Sequence, residues 1–329
     1  MKKTRRSRKK FFVAVFFCLV VFFIVLYFCI GFYFYNYAIA KNEKNFMKNN
    51  SKLPSNDSSN AVTVFSSNED WTRNVKKSSE EIKSFDGLKL SATSFKQLDE
   101  SCNKWIIVVH GYASNQVRLY DRAQAFFKKG FNVLCVDCRG CGDSEGDYMG
   151  MGWIDRLDVI DWAKKISCDY KDSKIALYGC SMGGSAVMMA AGETDLLPKN
   201  VLCVIEDCGY TSVWDIFSFQ LKEQFNLPSF IFLDSLNTVT KFRINLDIKE
   251  ASSVNQLKKS KLPIFFIHGD ADLFVPFKQI DELLKASEHL QKEVYIVKGA
   301  SHNNSFDSNP SNYMNKVLSF LEKHFNLQN

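Results

Sequence analysis

Charge is missing from Phe11 to Ala40 of this 329-residue chain, which excludes that stretch from the water-facing helices and loops of a globular domain. Histidine is scarce: five in all, so few side chains are available as a general base or metal ligand. Excess positive charge is missing from the body of the protein. Seven of the 42 Lys and Arg residues precede Phe11, and the remaining 35 balance the 36 acidic ones, so the net charge of +6 belongs to the tail. A nucleic-acid-binding face is therefore not expected. No internal repeat is visible, nor a second domain such as a propeller. Cysteine is not scarce, at ten, but its spacing argues against a metal cluster. In "CVDCRGC", Cys135 and Cys138 fall on opposite faces of a strand, so these and Cys141 read as buried small hydrophobes.

Against those absences stands one long apolar run. Its core, Phe11 to about Tyr35, exceeds the roughly 20 residues a helix needs to cross a bilayer. Seven Lys and Arg residues precede it and fewer follow, so the positive-inside rule puts the N-terminus in the cytoplasm and the rest outside. Phe32, Tyr33, Phe34, Tyr35 and Tyr37 cluster where the chain would leave lipid. Ala38-Ile39-Ala40 has the small-x-small pattern of a signal-peptide cleavage site, but the apolar run is far longer than a signal peptide's roughly 7 to 15 residues. An uncleaved anchor is the expectation. Free thiols are uncommon outside the cell, so the eight cysteines beyond the run pull against that orientation.

The expected organisation is a basic tail at 1–10, an anchor at 11–40, a polar tether at 41–80 and one α/β domain at 81–329. In that domain apolar runs suited to buried strands occur at Trp105–Val109, Phe131–Val136, Ile175–Tyr178, Val201–Ile205, Pro263–Ile267 and Val294–Val297. Helical patterns lie between or after them at Gln116–Lys129, Trp153–Ile166, Met182–Ala191, Phe277–His289 and Asn312–His324. The alternation predicts a mostly parallel sheet flanked by helices. The interval at about 210–260 is too long for a simple crossover and predicts a small helical cap, rich in Phe.

In "KIALYGCSMGGSAVMMA", Ser181 stands where a strand pattern becomes a helix pattern, between Gly179 and Gly183. A serine on such a turn is pushed out at the carboxyl edge of the sheet, as a nucleophile elbow. Its hydroxyl needs a base, and the base needs a carboxylate to orient it. His289 and His324 read as solvent-facing helix residues, and His110 and His268 as turn or packing residues. His302, in "GASHNNSF" after the last strand, is left. The acid is expected between serine and histidine in sequence. "HGDADLFVP" offers Asp270 and Asp272, of which Asp272 is preferred and Asp270 reads as a loop acceptor; Asp207 is a third candidate. Two amides are expected to bind the oxyanion: Met182, directly after the serine, and Tyr112, in "VVHGYASN" after an earlier strand.

From about Ser84 onward the chain resembles serine hydrolases of the α/β-hydrolase fold, particularly serine aminopeptidases and prolyl oligopeptidase-like esterases. The resemblance rests on His110-Gly111-Tyr112, "DCRGCGDSEG" from Asp137, Gly179-x-Ser181-x-Gly183, "HGDADLFVP" from His268, and His302. It implies a Ser181, Asp272, His302 triad with the Tyr112 and Met182 amides as oxyanion hole. Cys141 departs from the pattern, occupying a position where such proteins often carry His, Ala or Phe. The expected activity is hydrolysis of an ester, acyl or short-peptide substrate through an acyl-enzyme on Ser181, an esterase before a peptidase. No metal or organic cofactor is implied. Acyl transfer on the same triad and a catalytically silent surface binding module are the competing readings, and the sequence is silent on oligomeric state.

Overall fold

The structure, a computed structural model, describes residues 2–44 and 71–325. The larger part of the expected tether, 45–70, lies outside the described residues, as do Val62, Val64 and Phe65 within it.

An eight-stranded sheet organises the protein: β1 (Lys77–Lys83), β2 (Lys89–Phe95), β3 (Lys104–Val109), β4 (Asn132–Val136), β5 (Lys174–Cys180), β6 (Val201–Asp207), β7 (Ile264–Gly269) and β8 (Lys292–Val297). Its order is β1-β2-β4-β3-β5-β6-β7-β8. The β1–β2 and β2–β4 pairs are antiparallel and every other pair is parallel. The parallel strands match the apolar runs to within a few residues at each end. β1 and β2 are additions, and their composition explains why the apolar pattern missed them. The edge strand "KSSEEIK" alternates exposed and half-buried residues and carries a single aliphatic side chain, Ile82. An edge strand of this kind is protected from mispairing by its charges.

Helices cover both faces. Alternate residues of β3 separate them: Ile107 and Val109 pack under α3 (Asp155–Asp169) and α4 (Met182–Ala191), while Ile106 and Val108 pack under α2 (Tyr120–Lys128) and the last helix. The 210–260 interval holds two long helices, α5 (Val213–Phe225) and α6 (Phe232–Ile244). α7 (Gln279–Ala286) and α8 (Pro310–Phe325) complete the fold. The α7 pattern ends earlier than the sequence suggests, leaving His289 outside the helix. Ser287 closes it by bonding its hydroxyl back to the Leu283 carbonyl at 2.9 Å, a competition with the backbone that serine makes readily.

The N-terminal helix α1 runs Lys2–Phe34 and passes into a single wide turn, Tyr35–Ile39. Among the described residues, Lys9–Ile39 is the one helical stretch long and apolar enough to cross a membrane. From Phe11 to Tyr33 nearly all its large apolar side chains are exposed, whereas Phe34, Tyr35 and Ile39 are buried in the core on the α3/α4 face. α1 meets α6 at Gly31, where a Cβ would lie 2.5 Å from the Ser235 carbonyl oxygen. Glycine is required by that approach. Tyr27 Oη and Thr238 Oγ1 share a hydrogen bond of 2.9 Å, and the Phe34 ring packs edge-on against Phe225 and Phe232.

Candidate active site

β5 ends at Cys180 and α4 begins at Met182, leaving Ser181 alone on the turn with φ 55° and ψ −118°. A non-glycine residue there is strained, and the surroundings hold it. A Cβ on Gly183 would lie 2.2 Å from the Val109 carbonyl oxygen, so α4 rests directly on the end of β3. The Ser181 amide donates to the Asp207 carbonyl at 2.8 Å. Little of Ser181 is open to solvent, 7%.

His302 follows β8 and reaches back over this turn. Its Nε2 is 2.9 Å from Ser181 Oγ, and its Nδ1 is 2.7 Å from Asp272 Oδ2. A carboxylate only accepts, so Nδ1 carries the proton and Nε2 offers its lone pair to the serine hydroxyl. The Asp272 carboxylate is fixed from its other oxygen: Oδ1 accepts from the amides of Phe274 and Val275, both at 2.9 Å. Burial pushes the Asp272 carboxyl up, but the electrostatic attraction of the neighbouring His302 ring and hydrogen bonds from His268 and His302 outweigh it, holding it well below the usual carboxylate range. The Phe274 ring stacks obliquely on His302 at 4.9 Å, fixing the imidazole plane.

The other acids stand elsewhere. Asp270 Oδ1 accepts from the Gly299 amide at 2.6 Å, and Asp207 Oδ2 accepts from Tyr313 Oη at 2.8 Å. Gly111 lies against the serine, with room for a Cβ only at 3.4 Å from Ser181 Cβ. That contact brings the Tyr112 segment beside the turn on which Met182 follows Ser181. His110 is consumed by its own loop: Nδ1 donates to the Gly111 carbonyl at 2.7 Å and Nε2 accepts from the Cys138 amide at 3.0 Å.

Sequence reasoning gave His268 a turn or packing role. Its Nε2 lies 3.2 Å from the Val275 carbonyl and 3.3 Å from Asp272 Oδ2, so that nitrogen bears a proton and Asp272 sits between two imidazoles. Its only trace in "HGDAD" is the four-residue step from His268 to Asp272, which a packed histidine would show equally. Cys208 also approaches: its sulfur and the Asp272 and His302 ligand atoms lie within 4.8 Å of one another. Those His302 and Asp272 atoms are engaged with each other, and burial pushes the Cys208 thiol up, keeping it protonated. This group is better suited to carrying a proton than a metal. Cys135, Cys138 and Cys141 are buried, and none of the ten cysteines is in a disulfide. Burial pushes the Cys141 thiol up to about 12.

Comparison with known proteins gives a consistent picture. The family profile of serine aminopeptidases, S33, matches residues 100–203. The uncharacterized protein YqkD of Bacillus subtilis (strain 168) is 25% identical over 222 residues, 66% of this chain and 70% of its own. Protein ABHD12B of Homo sapiens is 27% identical over 212 residues, 61% of this chain and 56% of its own. Among solved structures, the Pyrococcus furiosus esterase Pf2001 superposes with a TM-score of 0.63 at 23% identity, covering 78% of this chain and 93% of its own. The Pyrococcus horikoshii acylaminoacyl peptidase does so with 0.57 at 19%, covering 78% and 43%. At such identities the structures speak for the fold.

Proposed function

We propose, from the premise that this chain is a hydrolase of the α/β-hydrolase fold, that it cleaves carboxylic esters, thioesters or small amides through an acyl-enzyme on Ser181. The observation that carries this reading is the unbroken pair of hydrogen bonds from Ser181 Oγ through His302 to Asp272. In acylation, His302 Nε2 takes the hydroxyl proton as Oγ attacks the substrate carbonyl. The imidazolium so formed is held by Asp272. The oxyanion is bound by the amides of Tyr112 and Met182. His302 then returns the proton to the leaving group as the carbonyl carbon's bond to it breaks. Water, deprotonated by the same nitrogen, releases the acid and restores Ser181.

An ester or acyl substrate is preferred to a peptide because Ser181 is nearly closed to solvent. Of the expected anchor at 11–40, the exposed apolar part from Phe11 to Tyr33 is read as the membrane segment, since Phe34, Tyr35 and Ile39 are buried in the domain core; the N-terminus is placed in the cytoplasm and the hydrolase domain on the other side.

The test is labelling of the full-length, detergent-solubilised protein with a fluorophosphonate, beside Ser181→Ala and His302→Ala. Labelling should vanish in the first and fall at least a hundredfold in rate in the second, on the order of a lost catalytic base. A panel of acyl esters then sizes the pocket. A folded wild type that does not label refutes the reading. Protease accessibility in intact cells tests the orientation separately.

A further inference from the structure

The turn at Tyr35–Ile39 is built into the protein on every side. The Met149 amide donates to the Ile39 carbonyl at 2.9 Å, the Lys41 amide donates to the Asp147 carbonyl at 2.6 Å, and Ala40 pairs with Tyr148 in an antiparallel bridge. Lys44 folds back to donate from Nζ to the Tyr37 and Ala40 carbonyls at 2.8 and 2.9 Å. A flexible link between anchor and enzyme would need none of these bonds.

Two arms lead from this turn to the two sides of Ser181. The first is short: Tyr112 Oη donates to the Ala38 carbonyl at 2.7 Å. Burial pushes the Tyr112 hydroxyl up, so it stays a donor. The second runs through α5. Tyr37 Oη donates to Gln224 Oε1 at 2.6 Å, Gln224 Nε2 to Gln220 Oε1 at 2.8 Å, and Gln220 Nε2 to the Phe274 carbonyl at 2.8 Å. Phe274 in turn donates its amide to Asp272 and lays its ring on His302. All donors in this arm point the same way, toward the acid loop, so each bond polarises the next.

We propose that the exit turn of the N-terminal helix is a positioning element of the active site, with Tyr37 and Tyr112 as positioning residues acting through the Phe274 loop and the oxyanion segment respectively. The proposal rests on the serine mechanism above and goes beyond it: the helix that carries the protein to a membrane also sets the geometry of turnover. Both hydroxyls are turned to acceptors of the protein itself. Each holds a loop on which a catalytic group sits, and a displacement of about 1 Å there costs up to about a hundredfold in rate.

The experiment compares Tyr37→Phe, Tyr112→Phe, Gln220→Leu and the double variant Tyr37→Phe/Gln220→Leu in full-length protein in lipid nanodiscs. Phenylalanine keeps the rings, including the edge contact of Tyr37 with Phe225 at 5.2 Å. Tyr33→Phe is the control, since Tyr33 is exposed. Expected is a fall in kcat of about tenfold in each single variant with KM and thermal midpoint retained. The double variant should be no worse than the poorer single one, because both break one chain. Wild-type turnover in both hydroxyl variants, or losses that add and track a falling midpoint, overturns the proposal while leaving the serine mechanism standing. A folded wild type that fails to react with a fluorophosphonate overturns both.

Discussion

Replacing Glu206 with glutamine should stabilise the protein more and more as pH rises. Glu206 lies at the end of β6 with no exposed surface, accepts from the Gly209 amide at 2.9 Å through Oε2, and has no hydrogen bond to Oε1 among the described residues. Burial pushes its carboxyl from 4.5 up to about 8, against an opposing pull from His268. The folded state therefore keeps a proton that the unfolded chain releases above about pH 4.5. Since the folded state binds more protons in that window, stability falls as pH rises. The contribution is whole below the unfolded pKa and lost as pH passes the folded one. Between pH 6 and 9 the loss is about 2–3 kcal/mol, at ~1.36 kcal/mol per unit. Glutamine has no proton to lose and still accepts from Gly209. Its thermal midpoint should gain on the wild type by roughly 5–10 °C across that range. Scanning calorimetry of both proteins in one detergent at pH 5, 6, 7, 8 and 9 reads it. A variant less stable by the same amount at every pH refutes the reasoning, because Glu206 would then be ionised in the fold and paired with a protonated His268.

Three further outcomes follow from the geometry. Asp272→Asn should keep the amides of Phe274 and Val275 on its carbonyl oxygen and turn its NH2 to His302 Nδ1, forcing the proton onto Nε2; kcat for an ester should fall about 10⁴-fold with little loss of fold. Arg139→Met strips the buried Asp158 of bonds at 2.8 and 2.7 Å and should cost about 3–5 kcal/mol in urea unfolding, partly restored by adding Asp158→Asn. Gly31→Ala places a Cβ against the Ser235 carbonyl and should lower fluorophosphonate labelling rates to about those of Tyr37→Phe without moving the unfolding of the sheet domain; wild-type labelling would show that the α1–α6 contact does not reach the site.

The parallel sheet was legible because its strands are buried on both faces and so are continuously apolar. The turn at Ser181 was legible because steric crowding at Gly179 and Gly183 leaves a mark in residue type. Chain order and elimination also pointed to Asp272 and His302, with Asp270 and Asp207 left as alternatives, and the fold puts His302 within hydrogen-bond reach of both Asp272 and Ser181. β1 was not legible, because an edge strand needs no apolar face. Nor was the second imidazole on Asp272: a histidine ending a strand looks the same whether it packs or donates. The bonds of the exit turn were beyond any local pattern, since 187 residues separate Tyr37 from Gln224 and nothing in either neighbourhood encodes the other.

That separation also orders events in time. The first helix leaves the ribosome long before the helices it packs against: 211 residues lie between Tyr27 and Thr238. At about 5–20 residues per second, the wait is roughly 10–40 s. During it the Gly31 face and the exit turn have nothing to bind, and the loops that Tyr37 and Tyr112 steady have no fixed geometry. The last strand and His302 emerge later still. Until His302 emerges the chain is an inert polypeptide, and the contacts proposed to steady the site form only after the first helix has met segments synthesised about two hundred residues later.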